Sequence, residues 1–133
     1  MTMLAEAQFI FLLLVVFQIK HFIGDYALQT TWMVNGKSLP GAGFVFPLSV
    51  HVLVHAAMTL AIVWYVNPKL WYLALFDFLV HFLMDRVKAS PHLLGRYNDP
   101  NKSSFWIPFG LDQMVHHLTH YAIIWVLFAD RFG

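Results

Sequence analysis

Four apolar stretches constrain this chain more than any other feature. Each is close to the roughly 20 residues that a membrane-crossing helix needs. They run from about Ala5 to Leu28, Phe46 to Val66, Lys69 to Lys88 and Pro108 to Ala129. The 133 residues are 59% hydrophobic and only 11% charged. An average soluble domain carries about 25% charged residues, so there are too few here to cover a water-facing surface. The expected fold is all-α and integral to a membrane: four transmembrane helices in an up-down-up-down bundle, forming one domain over residues 1–133. A cleaved signal peptide fits the first stretch poorly, because Glu6 stands where a basic residue belongs and no small-residue cleavage site follows. The formal net charge of +1 offers no footprint for nucleic acid. Zero cysteines exclude disulfides and thiolate chemistry.

The connections differ in length. Residues 30–45 contain Asn35-Gly36, Pro40-Gly41 and Gly43 and read as turns; residues 89–107 read as a long loop. The connection at Asn67-Pro68 is tight, so helices two and three should be antiparallel neighbours. Lys37, Arg86, Lys88, Arg96 and Lys102 fall on the side of the two long connections, against Lys69 and Arg131 on the other. The excess predicts long loops in the cytoplasm and both termini outside.

Ionisable residues inside such spans cost roughly 2.5–3.5 kcal/mol each on insertion scales and usually face the bundle interior. Seven of the eight histidines lie within the four stretches, together with Asp25, Asp77, Asp85 and Asp112. Their spacing is regular: His21, Asp25 and Gln29; His51, His55 and Thr59; Asp77, His81 and Asp85; Asp112, His116 and His120. Residues four apart share a helix face, so each helix presents one polar stripe. In an up-down-up-down bundle all four stripes fall in the same half of the membrane, most of them roughly 5–16 Å from the long-loop end at about 1.5 Å per residue. The other half of every stretch is apolar.

Imidazole and carboxylate together suit first-row metals, and helical bundles build dinuclear sites from such stripes. The candidate ligands are His21, Asp25, His51, His55, Asp77, His81, Asp85, Asp112, His116 and His120. Gln29, Gln113 and His117 are expected to stand behind them as hydrogen-bond partners. Two divalent ions, of zinc, manganese or iron, are the expected cofactors. The reading that follows is a metal-dependent hydrolase, with Asp25, Asp85 and Lys88 as its reactive groups. Lys37, Lys88, Arg96 and Lys102 would hold the anionic head of a lipid, or of another amphiphilic or phosphorylated substrate, at the cytoplasmic interface. Other readings stay open: a metal or proton transporter or sensor, a di-iron oxidase-like centre suggested by His116-His117-xx-His120, bis-histidine haem, or a structural subunit whose polar groups bind helix to helix. So small a bundle also makes a homo-oligomer an expectation.

The segment His21-Phe-Ile-Gly-Asp25-Tyr-Ala-Leu-Gln29-Thr-Thr-Trp-Met33 with Lys37, then His51-xxx-His55, Asp77-xxx-His81-xxx-Asp85-xx-Lys88 and Phe109-xx-Asp112-Gln113-xx-His116, resemble the domain-of-unknown-function family numbered 3307. Its members are small bacterial and phage membrane proteins, which implies a bacterial inner membrane and no particular reaction. More loosely, the pattern is similar to the YdjM-type membrane-bound metal-dependent hydrolases, which also place His and Asp in helices.

Overall fold

The computed structural model describes residues 3–133. These residues form five α-helices and, among them, no strand. Helix α1 spans Met3–Phe22 and runs on into a π-helical turn, Ile23–Ala27. Helix α2 is Thr31–Gly36, α3 is Val45–Val66, α4 is Tyr72–Ala89 and α5 is Ser103–Phe132.

Three of these elements depart from the sequence expectation, each for a local reason. Residues 30–45 read as turns, yet α2 forms there because the Thr30 side chain caps it, accepting from the Met33 amide at 3.3 Å. A short helix this size needs an anchor. It has one at Gly36, where a Cβ would overlap the Pro47 ring at the start of α3. Helix α5 starts at Ser103 rather than near Pro108. A proline this close to a helix start removes few intrahelical bonds, and the aromatic contacts among Phe105, Trp106 and Phe109 brace the added turn. The third stretch opens with a 3-10 turn, Pro68–Leu70, capped by Asn67, before α4 begins.

The four long helices pack in a ring in the order α1, α3, α4, α5 and back to α1. Successive helices alternate in direction, because the C-terminal halves of α1 and α4 meet the N-terminal halves of α3 and α5. This divides the interior into two layers. One half is an apolar core of Leu13, Phe17, Val63, Leu70, Leu73, Ile123, Ile124 and Leu127. The other half is filled by buried His, Asp, Lys and Thr side chains.

Many large apolar side chains lie outside, among them Tyr65 at 92% exposure and Ile107 at 76%. Two helices are long and apolar enough to cross a membrane, Met3–Ala27 and Val45–Val66, each with a mean hydropathy of 1.8.

Candidate metal centre

The centre is assembled at the end of α1. The Leu28 amide donates to the Ile23 carbonyl at 2.9 Å, an i to i+5 bond that widens the last turn. Such π-turns are rare and gather at functional sites. Here the widened turn sets Gly24 directly against the His55 imidazole, where a Cβ would overlap the ring. It also brings the next side chain, Asp25, into the interior. Asp25 Oδ2 lies 3.1 Å from His21 Nε2, and its Oδ1 lies 3.1 Å from His55 Nε2 and 3.4 Å from His51 Nε2.

Those close approaches to α3 are not hydrogen bonds. His51 Nε2 and His55 Nε2 are buried and have no hydrogen-bond partner among the described residues. Two imidazole nitrogens and a carboxylate oxygen converge without the angles that an N–H donor requires. Atoms bound at 2.0–2.2 Å to a tetrahedral metal stand about 3.3–3.6 Å apart; the His51 approach at 3.4 Å falls in that range and the His55 approach at 3.1 Å lies just below it. With His81, these residues offer four ligand atoms within 4.8 Å of one another: Asp25, His51, His55 and His81.

A second group, His81, Asp85 and His116, meets the same distance test and shares His81 with the first. The His81 ring stacks between the two groups, 4.1 Å from the His55 ring centroid and 3.9 Å from that of His116. Asp85 faces both. Its Oδ1 is 3.2 Å from His116 Nε2, and its Oδ2 is 3.4 Å from His51 Nε2. Asp112 Oδ1, buried and without a hydrogen-bond partner, adds a further oxygen 3.1 Å from His116 Nε2.

Lysines distinguish the four carboxylates of the layer. Lys37 Nζ donates to Asp85 Oδ2 at 2.6 Å, Lys88 Nζ to Asp112 Oδ2 at 2.7 Å and Lys20 Nζ to Asp77 Oδ2 at 2.7 Å. Asp25 has no lysine partner among the described residues; its side chain meets three imidazoles instead. A largely buried carboxylate needs compensating partners, and at Asp25, with its side chain 14% exposed, these are imidazoles that could ligate a metal.

Asp77 and His120 are placed elsewhere. They form a separate cluster in which Lys20 Nζ also reaches His120 Nε2 at 3.2 Å and the Thr59 hydroxyl donates to Asp77 Oδ2 at 2.5 Å. Neither belongs to the groups that could hold a metal. The ammonium of Lys20 already occupies the position from which an ion would bind them.

Of the three residues expected behind the ligands, two lie there. The Gln29 amide donates to the Asp25 backbone carbonyl at 2.9 Å while its oxygen accepts from Lys37 at 2.6 Å. Gln113 bridges His21 at 3.0 Å and Asp112 at 3.0 Å. His117 instead meets Gln18 at 3.1 Å on the outside of α1 and α5.

A cavity of about 540 Å³ opens on the loop side of the layer, and Lys37, Asp85, Lys88 and Arg96 are in its wall. Lys102 is not in that wall; it is exposed and pairs with Asp99 at 3.6 Å.

An all-helical chain with a buried His/Asp layer and two membrane-length helices is the class that these observations define. Within it, the chain belongs to the family described as "Protein of unknown function (DUF3307)", whose model matches residues 12–131. No curated protein and no solved structure matches it.

Proposed function

We propose that the chain is a four-span membrane protein holding a divalent metal ion at Asp25, His51, His55 and His81, and that it hydrolyses an amphiphile reached from the loop side. The lysine-free Asp25 among unpartnered imidazole nitrogens is the observation that carries this reading. The apolar exteriors of α4 and α5, with Leu75, Leu79, Leu83, Leu118 and Trp125 exposed, support two spans beyond those of α1 and α3. The excess of Lys and Arg on the long-loop side supports a cytoplasmic placement of that side.

Hydrolysis fits this geometry better than transport. The cavity beside the layer opens toward the loops. Beyond the layer lie the Lys20–Asp77 ion pair and then the apolar core, which disfavour a polar path to the far side. A metal at this place would lower the pKa of bound water and polarise the scissile group. Asp85, 3.4 Å from His51 and in the cavity wall, lies beside the Asp25 group, where it can accept the proton of that water while the second group is empty. Lys88, with its side chain about a third exposed, faces the substrate space.

Elemental analysis of the detergent-purified chain tests the reading, with at least about one tightly held equivalent expected. Chelation should lower the melting temperature and stop ester hydrolysis in lipid extracts. Absence of stoichiometric metal, with stability unchanged by chelator, overturns the proposal. Metal flux in proteoliposomes without turnover of any lipid favours a transporter instead.

A further inference from the structure

The fixed charges of the polar layer are unevenly matched. Four carboxylates of the layer, Asp77, Asp85 and Asp112 buried and Asp25 partly so, stand against three ammonium groups, Lys20, Lys37 and Lys88. With neutral histidines the layer carries one surplus negative charge, and it sits on Asp25. One divalent ion there leaves a surplus of one positive charge, which a buried site tolerates. A second divalent ion at His81, Asp85 and His116 would raise the surplus to three, in surroundings where Coulomb energies are several times those in water. His116 faces Asp85 Oδ1 and Asp112 Oδ1, while Lys37 and Lys88 hold the Oδ2 oxygens of the same two carboxylates, so the ion would stand close beside both ammonium groups.

The cavity offers the remedy. Lys37 and Lys88 sit in its wall with Arg96, whose guanidinium rests over the Tyr97 ring at 4.9 Å and has no carboxylate partner among the described residues. An oxyanion here can draw both ammonium groups toward the cavity and offset their charge, and a metal can hold the facing oxygens of the same aspartates. The two ligands are complementary in charge: each offsets the charge that disfavours the other.

We infer that this cavity binds a phosphate-type oxyanion, free or as a lipid head group, and that anion and second metal ion bind cooperatively across the Lys37–Asp85 and Lys88–Asp112 pairs, the anion on the ammonium groups and the metal on the carboxylates. This rests on the metal reading above and adds its substrate class. It makes the second ion a partner of the substrate, not a permanent resident.

The test is calorimetric titration of the purified full-length chain with Mn²⁺, alone, with inorganic phosphate, and in vesicles containing phosphatidic acid against phosphatidylcholine. The first equivalent should bind with the same affinity in every arm. The second should tighten about tenfold or more with the anion, within the usual range of coupling between sites. Tightening by inorganic phosphate identifies a free-phosphate site, and tightening by phosphatidic acid alone identifies a head-group site; either supports the inference. Lys88→Gln should tighten the second metal without anion and shrink the anion's effect, an opposition of signs that mere loss of structure would not produce. Arg96→Gln should weaken only the anion's effect, and it keeps the test open if Lys88→Gln fails to fold. A first equivalent that binds while the second ignores both anions overturns this inference and leaves the metal reading standing. Absence of any metal binding overturns both.

Discussion

Two clusters in the same bundle use the same residue types and do different things. Around Asp25, imidazoles of α1, α3 and α4 converge on a carboxylate that has no lysine. One or two turns deeper, Lys20, Thr59, Asp77 and His120 tie α1, α3, α4 and α5 together through a completed ion pair. A buried aspartate beside histidines is therefore ambiguous. The presence of a resident ammonium decides whether it is a vertex of a ligand set or a helix clamp. Lys20 acts as a cation already built into the chain, so Asp77 has little left to offer a metal.

Substitution of the two aspartates should break the comparison most sharply. Asp25→Asn is expected to reduce bound metal from about one equivalent to background, while the metal-free bundle keeps its melting temperature. Asp77→Asn is expected to keep the metal and lose stability, by about 3–5 kcal/mol, because Lys20 is left as an uncompensated buried charge. Elemental analysis and thermal melts of both variants check the pair. Equal metal loss in the two would erase the distinction between the clusters. Replacing both members together, Lys20→Met with Asp77→Leu, should recover most of the stability lost by Asp77→Asn, since an apolar pair leaves no stranded charge.

The stripes were legible in the sequence and the charge sorting was not. Four-residue spacing puts His51 and His55 on one face of α3, and alternating helix direction gathers the stripes at one depth; both follow from helical geometry alone. Which carboxylate receives which lysine depends on helix rotation and on partners far apart in the chain. Lys20 and Asp77 are 57 residues apart, and Lys37 and Asp85 are 48 apart. Lys20 reads as an interruption of an apolar run. Yet Leu13, Phe17, Lys20, His21 and Gly24 follow the three- and four-residue spacing of a buried face. That spacing was the available signal that Lys20 points inward and needs an acid. The turn residues of 30–45 hid α2, because the capping role of Thr30 competes with the breaker signals of Asn35-Gly36 and Pro40-Gly41.

Gly24 is a structural position beside the candidate site that residue chemistry alone does not flag. It has no side chain to ligate with, but its bare Cα lets the π-turn pass against His55. Gly24→Ala should displace the imidazole and weaken metal binding about 10–100-fold, the effect typical of residues that orient a ligand. The Lys20 cluster lies outside this contact, so the melting temperature of the metal-free form should hardly change. Competition titration with a chelator of known affinity checks the first expectation, and a melt in the same chelator checks the second. A large loss of metal-free stability would mean that the π-turn serves packing and not the site.

The smallest effect is expected at His117, and it bounds the reach of the polar layer. His117 directly follows His116, so it is turned about 100° away around α5. It meets Gln18 on the outer surface of the α1–α5 contact. A hydrogen bond between helices in a membrane averages only about 0.6 kcal/mol. His117→Ala should therefore shift stability by about that amount and leave metal content and chelator competition unchanged. Gln18→Ala should do the same, and the double variant should cost no more than either one, because both remove a single bond. If His117→Ala instead released metal, the ligand set would extend beyond the interior face of α5, and the boundary between the two clusters would have to be redrawn around the whole helix.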